Sequence, residues 1–122
     1  MPKRQILCIS FDRAVSENRC SSLEDAGYDV TAVTNIQDGL ELLNRQRFDA
    51  VILGHRFSAE EKYLLAVDAK EKMDTPVLLV CGATSDSEIP ATRRVYALEG
   101  NTGLLSELSE MLAAAARPKA AA

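Results

Sequence analysis

Apolar and polar positions follow two rhythms along this chain. QILCIS (5–10), DAVILG (49–54) and TPVLLVCG (75–82) are short apolar runs that read as strands; the last two are of the fully buried parallel kind. The proline of TPVLLVCG stands at the first positions of its run, where it costs no central ladder bond. YDVTAVT (28–34) alternates residue by residue, as a half-buried strand does, and RVYAL (94–98) reads as a last strand. The segments between carry helical spacing. In DRAVSENRCSSLEDAG (12–27), Val15, Cys20, Leu23 and Ala26 share a broad face. Asp12 is placed to cap its start and Gly27 its end. NIQDGLELLNRQR (35–47) sets Ile36, Leu40 and Leu43 on one stripe, begun by Thr34 or Asn35. SAEEKYLLAVDAKEKM (58–73) opens with Ser58 and Glu61 in capping-box spacing. NTGLLSELSEMLAAAA (101–116) closes the series with Leu104, Leu105, Leu108, Met111 and Leu112 inward. Polar ATSDSEIPATR (83–93), interrupted by Pro90, has room for a turn or two of helix at most.

Strands alternating with helices across tight connections predict an α/β fold. The expected form is an open parallel five-stranded sheet with helices on both faces and right-handed crossovers. At 122 residues the chain holds one domain, expected over 1–116, and the alanine-rich end (117–122) reads as a tail.

Charge and composition then remove function classes. The net charge is −4 and the bases are scattered, so no basic stripe exists to neutralise phosphates and direct nucleic-acid binding is not expected. No apolar run approaches a membrane span and the start, MPKRQILCIS, is too short for a secretory leader, which points to a cytoplasmic protein without a membrane partner. Cys8, Cys20 and Cys81 are widely spaced and lack a Cys-x-x-Cys pair, as expected of free thiols in a reducing compartment. With a single histidine, zinc is not expected either. SFDRAVSEN has no glycine to cradle a flavin phosphate. Gly-x-Gly-x-x-Gly, Gly-x-x-x-x-Gly-Lys and the Asp-x-His-x-x-Gly of cobalamin binders are all absent, so no cofactor is expected.

RQILCISFD, LEDAGYDVTAVTNIQDGLELL, FDAVILG, TPVLLVCG and VYALEG together resemble the receiver domain of bacterial response regulators (CheY-like) over nearly the whole chain. The resemblance implies the flavodoxin-like strand order 2-1-3-4-5, with the fourth helix short or absent. It also assigns positions to the family's chemistry, in which carboxylates hold Mg²⁺ against an incoming phosphoryl group. The two acids after the first strand correspond to Ser10 and Phe11, and the phospho-accepting Asp corresponds to Gly54. The switch hydroxyl of the fourth strand corresponds to Cys81, and the Lys-Pro pair after the fifth to Glu99 and Gly100. Glycine has no side chain to carry an acyl phosphate. The resemblance therefore implies a pseudo-receiver: a scaffold kept for protein–protein interaction in signal transduction, with no enzyme activity and no metal.

The degenerate pocket consists of Ser10, Phe11, Asp12, Gly54, His55, Cys81 and Glu99. Asp12 reads as a helix cap rather than a ligand. His55 and Cys81 sit on neighbouring strand ends, yet no third group is evident to orient them as a nucleophilic pair. Ser10 and Ser58 are expected on the pocket rim. Tyr96 falls where receivers commonly carry an aromatic that reports activation, and with Arg93 and Arg94 it makes the candidate interaction face. The expected partner is another signalling protein, an output domain or a second copy of the chain. The alternative is a switch with a different input, such as a ligand, cysteine oxidation or serine phosphorylation.

Overall fold

Strand residues one apart point to opposite faces of a sheet, and here both faces are apolar. The computed structural model describes residues 3–54, 56–81, 89–96 and 100–116. In chain order these form β1 (Gln5–Ile9), α1 (Arg13–Asp25), β2 (Asp29–Val33), α2 (Ile36–Arg45), β3 (Ala50–Leu53), α3 (Ala59–Met73), β4 (Val77–Cys81), β5 (Arg93–Tyr96) and α4 (Gly100–Ala116). All neighbouring strands pair in parallel, in the order β2-β1-β3-β4-β5. The register runs Ile6↔Ala50 to Ile9↔Leu53 between β1 and β3, and Val51↔Val77 to Leu53↔Leu79 between β3 and β4. The strand order expected from the resemblance is the one observed.

Each face has its own core. Leu7, Ile9, Val51, Leu53, Leu79 and Cys81 meet Ile36 and Leu43 of α2 and Leu65 of α3. Ile6, Cys8, Ile52, Leu78, Val80 and Val95 meet Leu23 of α1 and Leu104, Leu108 and Met111 of α4. Gly39 lets α2 press close to β1, since a Cβ there would come within 2.6 Å of Ile9 Cδ1.

The helix ends follow from their residues. Asn35, not Thr34, caps α2 by accepting from Asp38 N at 2.8 Å. Ser58 and Glu61 close the capping box on α3. Gly27, just past α1, takes φ +99°, a conformation that costs glycine little. Pro76 precedes β4, and its carbonyl accepts from Val51 N at 3.0 Å. β5 starts at Arg93, one residue earlier than expected. Of the stretch 83–93, residues 83–88 lie outside the described residues, and 89–92 carry no helix. The tail 117–122 also lies outside them.

One expectation is corrected. The buried face of α1 is Ser16, Arg19 and Leu23, whereas Val15 and Ala26 are exposed and Cys20 is half-buried. The helix is rotated from its apolar pattern because Arg19 turns inward to a buried partner on the chain before it.

Leu108 is fully buried and Leu64 is exposed. Leu108→Ala should cost about 2–5 kcal/mol of stability and Leu64→Ala about 0.5 or less, measured by urea unfolding.

Candidate functional site

The ends of β1 and β3 bring Ser10 and Gly54 together. Gly54 N donates to Ile9 O at 2.8 Å and Ser10 N to Val33 O at 3.1 Å, so the ladder carries both residues just past their strands. Ser10 is 1% exposed, which places it beneath the pocket and not on its rim as expected. Its hydroxyl accepts from Arg19 Nη1 at 3.0 Å and lies 3.7 Å from Cys8 Sγ. Arg19 is 8% exposed, and burial pulls its guanidinium below the ordinary range, with the Cys8 sulfur acting in the opposite direction. An arginine remains cationic through any such shift. A Cβ on Gly54 would lie 3.4 Å from Arg19 Nη1 and 3.1 Å from Ile9 O. The guanidinium therefore lies within van der Waals reach of a side chain at position 54, and the tighter contact would be with the Ile9 carbonyl.

Around this plug the cleft is small. A cavity of about 20 Å³ remains between Ser10, Phe11, Asp12, Val15, Arg19, Gly54 and Arg56, room for about one water molecule. Asp12 Oδ1 accepts from Ala14 N at 2.8 Å and Val15 N at 3.4 Å, so this carboxylate caps α1. Phe11 is 61% exposed and packs edge-on against Phe57, with ring centroids 6.0 Å apart.

A larger cavity, about 540 Å³, lies between the N-terminal halves of α1 and α4. Val15, Arg19, Val80, Tyr96, Asn101 and Leu104 are among its walls. Asn101 Nδ2 donates to Asn18 Oδ1 at 2.6 Å and to Ser22 Oγ at 2.9 Å, joining the two helices beside it.

In sequence, no family model matches the chain, and no curated protein matches it. Solved structures do. The signal receiver domain of a signal transduction histidine kinase from Syntrophus aciditrophicus superposes with a TM-score of 0.83 at 21% identity, covering 98% of this chain and 97% of that one. A response regulator receiver protein from Sinorhizobium medicae gives 0.82 at 23% identity, over 92% and 96%. A CheY-like receiver domain protein from Methanospirillum hungatei gives 0.80 at 19%, over 93% and 96%. The fold is that of a CheY-like receiver domain.

In a receiver fold the strand ends just described are where Mg²⁺ would be expected, and these residues do not fit it. The cation takes several hard oxygen ligands, mostly carboxylate and water. Here the cleft offers one carboxylate, already a helix cap, opposite the guanidinium groups of Arg19 and Arg56. Among the described residues, no three His, Cys, Asp or Glu side chains group as a metal site. None of the described helices is long and apolar enough to cross a membrane.

His55 and Glu99 lie outside the described residues. Cys81 is buried in the core on the α2/α3 face, in register with Tyr96. Tyr96 is 51% exposed. Arg93 is committed to α4, with Nη1 3.1 Å from Glu107 Oε2 and 3.0 Å from Glu110 Oε2. Arg94 Nη2 donates to the Ile89 carbonyl. Sequence reasoning missed Arg19. The available signal was Ser16 and Arg19 at helical spacing from Leu23, a polar interruption on the side that faces the sheet.

Ser10→Ala strips a buried guanidinium of its hydroxyl acceptor and should cost about 1–3 kcal/mol. In an Arg19→Met background the same change should cost less than about 1 kcal/mol, because the donor has gone. Urea unfolding of the four proteins in this cycle measures the coupling.

Proposed function

We propose that the chain is a receiver-like regulatory module that works through protein contacts and not through an aspartyl phosphate. The observation that carries this reading is the Arg19 guanidinium at the end of β3, held by Ser10 against Gly54. A phosphoryl group needs an acceptor side chain, a cation and open space. This cleft offers glycine, a buried arginine and room for a water molecule.

The same residues suggest how such a module engages a partner. Phe11, Val15 and Tyr96 are large apolar side chains left exposed. Val15 borders both cavities, with Phe11 on one side and Tyr96 on the other. An exposed apolar edge of this kind marks an interaction surface more often than a solvated one. The partner in this reading is another signalling protein, an output domain or a second copy of the chain. Arg93 and Arg94 serve mainly to hold β5 in place, and Tyr96 carries that side of the contact. The fold neighbours support a role in signal transduction by analogy.

The test is an amide NMR titration with Mg²⁺ and beryllofluoride, which mimics an acyl phosphate. No saturable shifts are expected at Ser10, Phe11, Asp12, Gly54 or Cys81. The Gly54→Asp variant should stay equally silent, because its new carboxylate meets Arg19. Saturable shifts at those strand ends in the unaltered protein would overturn the reading.

A further inference from the structure

The cavity of about 540 Å³ between α1 and α4 is of the size that small-molecule sites take, and its interior has no part in the contacts proposed above. Val80 of β4 and Val95 of β5, both core side chains, give it an apolar floor on the sheet. Val15 of α1 and Leu104 of α4 extend the apolar lining on the two helices. Polar groups are few: Asn18 and Asn101, clasped to one another, and Arg19.

Arg19 is the one charged side chain among the described residues that line the cavity, and at 8% exposure it is nine-tenths buried. A guanidinium carries five N–H donors and no acceptor. Ser10 Oγ takes a bond from Nη1 at 3.0 Å, and no other described residue accepts from Arg19. That leaves the Nε–Nη2 edge, two parallel N–H groups in the geometry that a carboxylate accepts. Buried charges in proteins are normally paired. Here no described carboxylate pairs with the cation, and none is among the groups that act on its charge. The cavity also reaches Gly100 and Asn101 in the first turn of α4. Backbone N–H groups without helical partners add partial positive charge at such an end.

We propose that this cavity binds a small organic anion, a carboxylate on an apolar body, with the carboxylate on Arg19 and the body over Val80 and Val95 between α1 and α4. The site goes beyond the contact reading and stands without it.

The lining selects this class against its neighbours. A cation would meet the guanidinium and the positive end of α4. A neutral apolar molecule would cover the valines and leave the buried donors unspent, which costs affinity. Inorganic phosphate would satisfy the charge and leave the apolar lining in water. A carboxylate joined to a fused ring pair or a short alkyl chain answers both demands at once.

The test is an amide NMR titration of the chain with naphthoate and octanoate, run beside uncharged naphthamide and inorganic phosphate. Both carboxylates should give saturable shifts at Val80, Val95, Tyr96, Asn101 and Leu104, with a Kd of about 1 mM or tighter. Naphthamide should bind at least about tenfold more weakly, and phosphate should leave Val80 and Val95 unmoved. Arg19→Met should lower the affinity for naphthoate to that for naphthamide. The comparison of acid with amide needs no variant, so it stands whether or not Arg19→Met folds. No saturable shifts with either carboxylate, or shifts confined to residues away from the cavity, would overturn the site. Equal binding of naphthoate and naphthamide, or phosphate binding as tightly as naphthoate, would overturn the assignment of an apolar anion.

Discussion

The register between β1 and β3 determines most of what lies around it. Ile6↔Ala50 through Ile9↔Leu53 sets which side chains face each core, and the next bond, Gly54 N to Ile9 O, brings Gly54 against Ser10. A one-residue slip would reverse every side chain on one of these strands. Two of the buried polar side chains, Ser10 and Arg19, meet at the C-terminal ends of these strands. Open α/β sheets commonly present their binding sites there.

Into that position the chain places a cation. A buried guanidinium is costly to desolvate, and it persists only where acceptors and packing offset the loss. Ser10 supplies one acceptor, and Gly54 lies beside the guanidinium without a side chain to contact it. Ser10, Arg19 and Gly54 are therefore neighbours at one strand end. Ser10 and Arg19 form a small polar core with its own geometry.

Much of the fold was legible in the chain. Unbroken apolar runs marked β3 and β4, and the Ser58–Glu61 spacing marked the start of α3, because these signals are local and act through backbone hydrogen bonding. The strip of Leu104, Leu108, Met111 and Leu112 was legible for the same reason. The inner face of α1 was not. Apolar periodicity favours Val15 and Ala26, whereas the fold buries Ser16 and Arg19. The partner that draws Arg19 inward is a hydroxyl nine residues earlier, a tertiary contact that periodicity does not record. Arg93 misled in the opposite sense: an arginine on a short last strand looks available, yet two glutamates one turn apart on α4 engage it. At the pocket, the residue types at positions 10, 11 and 54 were plain from the sequence, but the approach of Arg19 to them was visible only in three dimensions.

The clasp of Asn101 on Asn18 and Ser22 has a consequence for the birth of the molecule. Its partners stand 83 and 79 residues apart. The core under α2 and α3 draws on residues up to Ile89, whereas the opposite face waits for Leu104, Leu108 and Met111. During synthesis, one side of the sheet therefore has all its helices while the other, with Ile6, Ile52, Leu78 and Val80, has only α1 and its Leu23 to cover it. That interval is when a nascent chain is most prone to sticking to its neighbours. Synthesis of the last helix ends the exposure, and the asparagine clasp locks the first helix to it.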